Sequence, residues 1–255
     1  MNGAFYVGAV GLDAQQRALD VVANNIANIN TTAFKRSTVR FSELVSPMRD
    51  GDGLPLAPLR REGTLAGATI ASTPLVWTQG PLRQTGSTTD LAVSGDGFIE
   101  LMGPSGRELL WRGGGLQVNA DGYLAATDGT PLQAMISVPN GATGLSIAAD
   151  GTVSASVNGA AQQLGQIDLV MPRATEDLVS VGNGYYESAD SSRLDAVRPG
   201  QDGVGTLVQG SLESSNVELT DEMTNLLMLQ RAFAANAQVV QAGDQLMSIV
   251  NGLRR

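Results

Sequence analysis

Apolar residues recur at helical spacing near both ends of the chain and at strand spacing between them. Phe5, Ala9, Leu12, Leu19, Ala23 and Ile26 step by four, three, seven, four and three, which predicts an α-helix over 4–30. Over 217–253 two stripes run together. One is Leu219, Met223, Leu226, Phe233, Ala237, Val240 and Met247; the other is Leu229, Ala232, Val239, Leu246, Val250 and Leu253. Together they are wider than the apolar arc of a helix on the surface of one small domain. Either this helix has neighbours on two sides, or it lies buried in an ordinary core; the pattern leaves both open. At 1.5 Å per residue the two helices measure roughly 40 Å and 55 Å. Isolated helices are marginal in water, so each end needs a partner: the opposite end first, then other copies.

The middle reads as β structure. Leu91-Ala92-Val93, Phe98-Ile99-Glu100-Leu101, Leu116-Gln117-Val118, Tyr123-Leu124-Ala125 and Ile167-Asp168-Leu169-Val170 are short apolar runs separated by turn dipeptides such as Asp121-Gly122, Asp128-Gly129 and Asp150-Gly151. Asx-Gly suits hairpins because both central residues accept positive φ. Residues 46–67 look loop-like, and 196–210 look like a glycine-rich connector. Ser215-Asn216 is the expected N-cap of the last helix, with Asp221 and Glu222 in its first turn. The fold class expected is α+β, with terminal helices pairing as a coiled coil around a glycine-rich antiparallel β domain. Expected bounds are 1–35 plus 211–255 for the helical part, 36–79 plus 196–210 for extended connectors, and 80–195 for the β domain.

Composition narrows the chemistry. A formal net charge of −9 with no basic run argues against nucleic acid as a partner. Cysteine and histidine are both absent, which removes disulfides, thiolate or imidazole metal sites and His-dependent nucleophilic catalysis. Neither a basic–apolar leader nor an apolar run of membrane-spanning length is visible, so no membrane insertion is expected. No cofactor is expected either. Asp96, Asp121, Asp128 and Asp150 are candidates for acid–base or calcium chemistry, but each sits in a turn where aspartate has a backbone reason to occur. Gly95-Asp96-Gly97 and Gly113-Gly114-Gly115 lack the strand-to-helix context of a phosphate loop. Asn24, Asn25, Asn28 and Asn30 crowd the end of the first helix, where asparagine is a poor helix former. Either they simply end the helix, or Asn24 and Asn28, which share a face, bond the backbone of a neighbour.

Ala23-Asn24-Asn25-Ile26-Ala27-Asn28-Ile29-Asn30-Thr31-Thr32-Ala33-Phe34-Lys35 resembles the N-terminal signature of the bacterial flagellar rod and hook family. Gln209-Gly210-Ser211-Leu212-Glu213-Ser214-Ser215-Asn216-Val217 and Gln230-Arg231-Ala232-Phe233 are similar to its C-terminal motifs. Thr78-Gln79-Gly80-Pro81-Leu82, the run Asp90 to Phe98, and Asp121-Gly122-Tyr123-Leu124 match in the middle. The resemblance spans nearly the whole chain. Within the family, Gly11-Leu12-Asp13-Ala14-Gln15-Gln16 and the long segment 42–75 look like the distal-rod branch, with the mid-length proximal-rod branch as the alternative. One position departs: where the family has glycine, this chain has Ala33, and a positive φ there strains alanine.

The resemblance implies a structural subunit, not an enzyme. Such a subunit would leave the cell unfolded through the flagellar export apparatus, without a cleaved signal peptide, and polymerise into a helical tube in the periplasm-spanning rod. Its partners would be further copies of itself, neighbouring rod and hook proteins, and the rings that surround the rod. The assembly interface it implies comprises Leu12, Leu19, Asn24, Asn25, Ile26, Asn28, Phe34, Lys35, Asn216, Leu226, Gln230, Arg231, Phe233, Val240 and Leu246. Two rival readings are a wall-lytic glycosidase, which needs paired carboxylates facing one cleft, and a free-standing secreted β protein or adhesin, which has no need of two long apolar helices.

Overall fold

The structure, a computed structural model, describes residues 2–46, 64–157, 159–175, 178–188, 194–201 and 203–252. The chain divides into two compact units. One comprises Met1–Ala27, Ser37–Val76 and Glu218–Arg255; the other comprises Asn28–Arg36 and Trp77–Val217.

The first unit holds α1 (Asn2–Ala27), the strands β1 (Arg40–Ser46) and β2 (Thr64–Ser72), and the C-terminal helix α2 (Leu219–Gly252). The two terminal helices lie in contact, and α1 also packs against β2. Strands β1 and β2 pair antiparallel within the expected connector 36–79. The expected loop 46–67 therefore ends in strand from Thr64, and its part 47–63 lies outside the described residues.

The buried face of α1 is one of small residues. Gly8, Ala14, Ala18, Val22 and Asn25 are buried, while Leu12, Leu19 and Ile26 are only half-buried and Ala9 and Ala23 are exposed. The expected face is thus rotated from the buried one, and at Gly8 and Gly11 the lack of a side chain lets α2 approach closely. A Cβ on Gly8 would sit 2.6 Å from Val240 Cγ2, and one on Gly11 would sit 3.1 Å from Asn236 Nδ2. The stripes expected on α2 also recombine. Glu222, Leu226, Leu229, Ala232, Asn236 and Val240 form its covered face, whereas Leu219, Met223, Leu227, Met228, Val239 and Ile249 are exposed.

The second unit is antiparallel β structure. Its strands are β3 (Leu82–Gln84), β4 (Asp90–Ser94), β5 (Phe98–Met102), β6 (Glu108–Trp111), β7 (Gly113–Val118), β8 (Leu124–Ala126), β9 (Thr143–Ile147), β10 (Thr152–Val157), β11 (Ala160–Gln166), β12 (Leu169–Pro172), β13 (Leu178–Gly182), β14 (Tyr185–Ser188), β15 (Leu194–Val197), β16 (Thr206–Gln209) and β17 (Ser211–Glu213). They form a sheet ordered β13-β14-β6-β5-β12-β15, a sheet ordered β16-β4-β7-β8, the small sheet β11-β10-β9 and the pair β17-β3. Leu91, Val93, Ile99, Leu101, Leu124, Val153, Ile167 and Leu169 fill one core between them. The stretch 196–210, expected as a connector, contributes β16 to the second sheet, where Leu207 pairs with Val93.

Two of the four turn aspartates carry the backbone role expected of them. Asp128 Oδ1 accepts the Thr130 N–H, and Asp150 Oδ1 accepts the Thr152 N–H, both at 3.0 Å. At Asp121 the accepting side chain is Asn119, whose Oδ1 takes the N–H groups of Asp121 and Tyr123.

Candidate functional site

Three segments far apart in sequence converge inside the β unit on one buried cluster of charges. The turn 28–36 carries Lys35 inward. Strand β6 ends at Trp111, so that Arg112 follows it into the interior. Strand β17 ends on Glu213. Lys35, Arg112 and Glu213 are 1%, 4% and 1% exposed. Lys35 Nζ donates to Glu213 Oε1 at 2.6 Å and to the Thr78 carbonyl at 3.0 Å. Arg112 Nε donates to Glu213 Oε2 at 3.1 Å, and its Nη1 to the Gly97 carbonyl at 2.7 Å. The Gly80 N–H also donates to Glu213 Oε1, at 3.0 Å. The guanidinium lies 5.6 Å from the centroid of the Phe98 ring, within cation–π range.

Two cations share one bonded carboxylate, with the Asp96 charge also acting on Lys35 from outside the hydrogen-bonded group. Burial lowers the Lys35 ammonium below the ordinary lysine range, and the Glu213 carboxylate opposes that shift. An aromatic group adjoins it. Trp77, Phe98 and Tyr186 stack edge to face, with centroids 4.9 Å apart for Trp77–Tyr186 and 5.4 Å for Trp77–Phe98. Tyr186 Oη donates to the Ala33 carbonyl at 3.0 Å.

The turn that delivers Lys35 has the strain anticipated for it. Ala33 stands at φ +56°, is 1% exposed, and donates its N–H to the Glu213 carbonyl at 2.8 Å. The left-handed conformation costs an alanine about 1 kcal/mol, close to what its buried methyl returns. Ala33→Gly is therefore expected to leave the urea midpoint nearly unchanged. Ala92→Gly, in the middle of β4 and fully buried, is expected to cost about 1–2 kcal/mol. Equal losses at both positions would remove the strain argument.

The predicted site residues divide by surroundings. Asn25 is buried rather than its neighbour Asn24: its Nδ2 donates to the Ser37 carbonyl and its Oδ1 accepts the Ser37 N–H, both at 2.9 Å. Asn28 Oδ1 accepts the Thr31 hydroxyl at 3.1 Å at the end of α1. Asn216 does not cap α2, which begins at Leu219. Its Oδ1 accepts the Arg36 N–H at 2.7 Å, and its Nδ2 donates to Thr78. Phe34 is half-buried, and its carbonyl accepts the Asn216 N–H at 3.4 Å. Leu226 and Val240 lie on the covered face of α2, while Gln230, Arg231 and Phe233 are exposed. The Leu246 side chain lies outside the described residues.

Arg112 and Tyr186 carry no reading in the sequence, and Gln209 enters there only as the first residue of a family motif. Gln209 knits three segments, donating to the Thr88 and Leu145 carbonyls and accepting the Ile147 N–H. Arg112 did leave a trace: a lone cation closing the run Leu109-Leu110-Trp111 has no reason to stand there without a buried anion.

Tyr185 and Tyr186 supply an optical probe of this region. Burial raises both phenols above the ordinary range, with the Asp128 carboxylate adding to the effect at Tyr185 and Glu213 at Tyr186. Unfolded tyrosine ionises near pH 10, so their contribution to stability is complete below that pH and is lost above it. Lys35, with its lowered pKa, acts in the opposite sense, adding stability as pH rises toward the ordinary lysine range. Absorbance near 295 nm isolates the tyrosines: Tyr185 and Tyr186 should ionise only together with alkaline loss of far-ultraviolet dichroism. Their ionisation in a chain that keeps its dichroism would contradict the burial described.

The described clefts of the β unit offer no paired carboxylates. A cleft of about 430 Å³ beside Trp111 and Tyr185 contains Asp128 as its one acidic residue. A second, of about 310 Å³ beside Asn30 and Arg83, contains only Glu213, whose charge is already matched.

Comparison with known proteins bears on this geometry directly. Residues 5–35 match the family model described as flagella basal body rod protein. Residues 92–155 match the flagellar hook protein FlgE/F/G D1 domain, and 208–253 match the flagellar basal body rod FlgEFG protein C-terminal. Each matched segment contributes one charge of the buried cluster: Lys35, Arg112 and Glu213. The flagellar basal-body rod protein FlgG of Buchnera aphidicola from Acyrthosiphon pisum is 32% identical over 260 residues, covering 99% of this chain and 100% of that protein. The FlgG of Bacillus subtilis is 33% identical, with both chains covered completely. The FlgF of Caulobacter vibrioides is 31% identical, over 96% of this chain and 95% of its own.

The chain belongs to the flagellar basal-body rod family. It is a structural rod protein, similar over its full length to the distal-rod members, and the enzyme reading falls with that assignment. Membership also explains the motif residues by position. Within Thr78-Gln79-Gly80, the Thr78 carbonyl receives Lys35 and Asn216. Gln79 bonds the Val93 carbonyl and the Gly95 N–H, and Gly80 touches the chain at Ser214.

Proposed function

We propose that this rod protein is the repeating subunit of a helical homopolymer that crosses the periplasm and transmits torque. The observation that carries the reading is the uncovered apolar face of α2. One side of this 34-residue helix rests on α1, yet Leu219, Met223, Leu227, Met228, Val239 and Ile249 are 44–59% exposed. Such a broad apolar arc left uncovered on a folded chain marks an interaction surface. On α1 the half-buried Leu12, Leu19 and Ile26 recur every seven residues, the spacing of a helix-to-helix seam. In a helical tube one patch meets a different patch on the next copy, so that contacts repeat without closing. Gln230, Arg231 and Phe233 stand on the exposed part of α2 and belong to this interface. Lys35 and Asn216 serve it indirectly, by tying the turn 28–36 to the segment 213–216. Neighbouring rod and hook proteins, the surrounding rings and the flagellar export apparatus complete the proposed partners. No helix among the described residues is long and apolar enough to cross a membrane.

Leu227→Glu tests the reading. At an exposed position it should change stability by less than about 0.5 kcal/mol. It should nonetheless abolish polymer formation by the purified full chain and leave basal bodies with shortened rods in cells. Normal polymers and full rods would reject the interface.

A further inference from the structure

Among the described residues, two methionines stand on the uncovered apolar arc of α2, on different sides of it. Met223 and Met228 are 53% and 57% exposed. Met223 lies one turn from Leu219 and one turn from Leu227. Met228 shares its side of the helix with Val239, three turns on. The chain has no cysteine, so no thiol of its own diverts an oxidant from these thioethers. Met135, 49% exposed in the β unit, lies outside the row, and Met102 and Met171 are partly buried.

We propose that Met223 and Met228 form an oxidation site at which peroxide-class oxidants block incorporation of the free subunit. The inference rests on the reading of the α2 face given above. The thioether sulfur attacks one peroxide oxygen; an S–O bond forms, the O–O bond breaks, and the second oxygen leaves as water. Sulfur is oxidised by two electrons and the peroxide is reduced by two. The product is a polar, chiral sulfoxide at a position that assembly makes dry, and burying its oxygen without a donor opposes association. Once a subunit is incorporated, the neighbouring copy covers the same sulfurs. Sensitivity therefore belongs to the free folded subunit before incorporation, and enzymatic reduction of the sulfoxide restores it.

The experiment uses purified full chain treated with hydrogen peroxide, with oxidised residues located by mass spectrometry and polymer measured by pelleting and electron microscopy. Wild-type chain carrying sulfoxide at 223 and 228 should pellet at least roughly tenfold less. M223L/M228L, which keeps the volume, should pellet undiminished after the same treatment although Met135 is oxidised. Methionine sulfoxide reductase should restore the wild type. Undiminished pelleting with both sulfoxides present overturns the inference and leaves the interface standing. Oxidation of both sulfurs in finished polymer at the free-subunit rate overturns the interface reading as well, as does failure of the untreated chain to polymerise.

Discussion

Glu213→Ala is expected to destabilise the β unit by about 3–5 kcal/mol, the cost of leaving buried charge without its partner. The effect is large because one carboxylate serves two cations. Without it, Lys35 and Arg112, 1% and 4% exposed, repel each other, and the Gly80 N–H loses its acceptor. Lys35→Met has a smaller expected cost. It leaves Arg112 and Glu213 as a neutral pair and removes the ammonium that burial already disfavours. Urea unfolding of the two variants beside the wild type gives the order. A larger loss for Lys35→Met than for Glu213→Ala would mean that the excess positive charge is not what strains the cluster.

Gly80→Ala should be comparably severe for a different reason. A Cβ on Gly80 would lie 1.9 Å from the Ser214 carbonyl oxygen and 3.0 Å from its carbon. Both are backbone atoms with no rotamer to escape through. The strand pair must part, breaking the bond from Ser214 N–H to the Pro81 carbonyl and that from Gly80 N–H to Glu213. Overpacking together with a stranded buried acceptor comes to about 3–5 kcal/mol, or a melting shift on the order of 10 °C. Gly86→Ala is the control. Gly86 has φ +73° with nothing within 4 Å of an added Cβ, so only the cost of a left-handed alanine, about 1 kcal/mol, applies. Similar shifts for the two would show that close approach at Gly80 is unimportant.

Much of the architecture was legible because it rests on local periodicity. Both helices, the glycine turns and five of the strands of the β unit announce themselves by spacing and by Asx-Gly pairs, and the departure at Ala33 from a family glycine marked the one turn where a positive φ would strain the chain. What local pattern does not encode is which side of a helix finds its neighbour. The large residues Leu12, Leu19 and Ile26 carry the periodicity, whereas Gly8, Ala14 and Ala18 are the ones that pack inward, Gly8 so near Val240 that a Cβ would clash with it. Nor does spacing reveal pairing at long range. Asn25, and not Asn24 or Asn28, is spent on Ser37, and Asn216 is spent on Arg36 rather than as a helix cap. The segment 196–210 looked like a linker because its glycines hide the four-residue strand Thr206–Gln209. The α2 stripes misled for a related reason: with apolar residues around most of the helix, periodicity cannot say which are covered within one subunit.

The bond from Lys35 to Glu213 joins residues 178 positions apart, and this separation dictates an order of events. A chain emerging N-terminus first presents both cations long before their anion arrives. Until residue 213 is out, closing the β unit would bury two cations without the one carboxylate that hydrogen-bonds them both. Premature termination anywhere upstream should therefore yield no nearly finished body, but a chain that stays open and degradable. The last strand thus acts as a completeness check, coupling the compactness of the whole unit to the arrival of one late carboxylate.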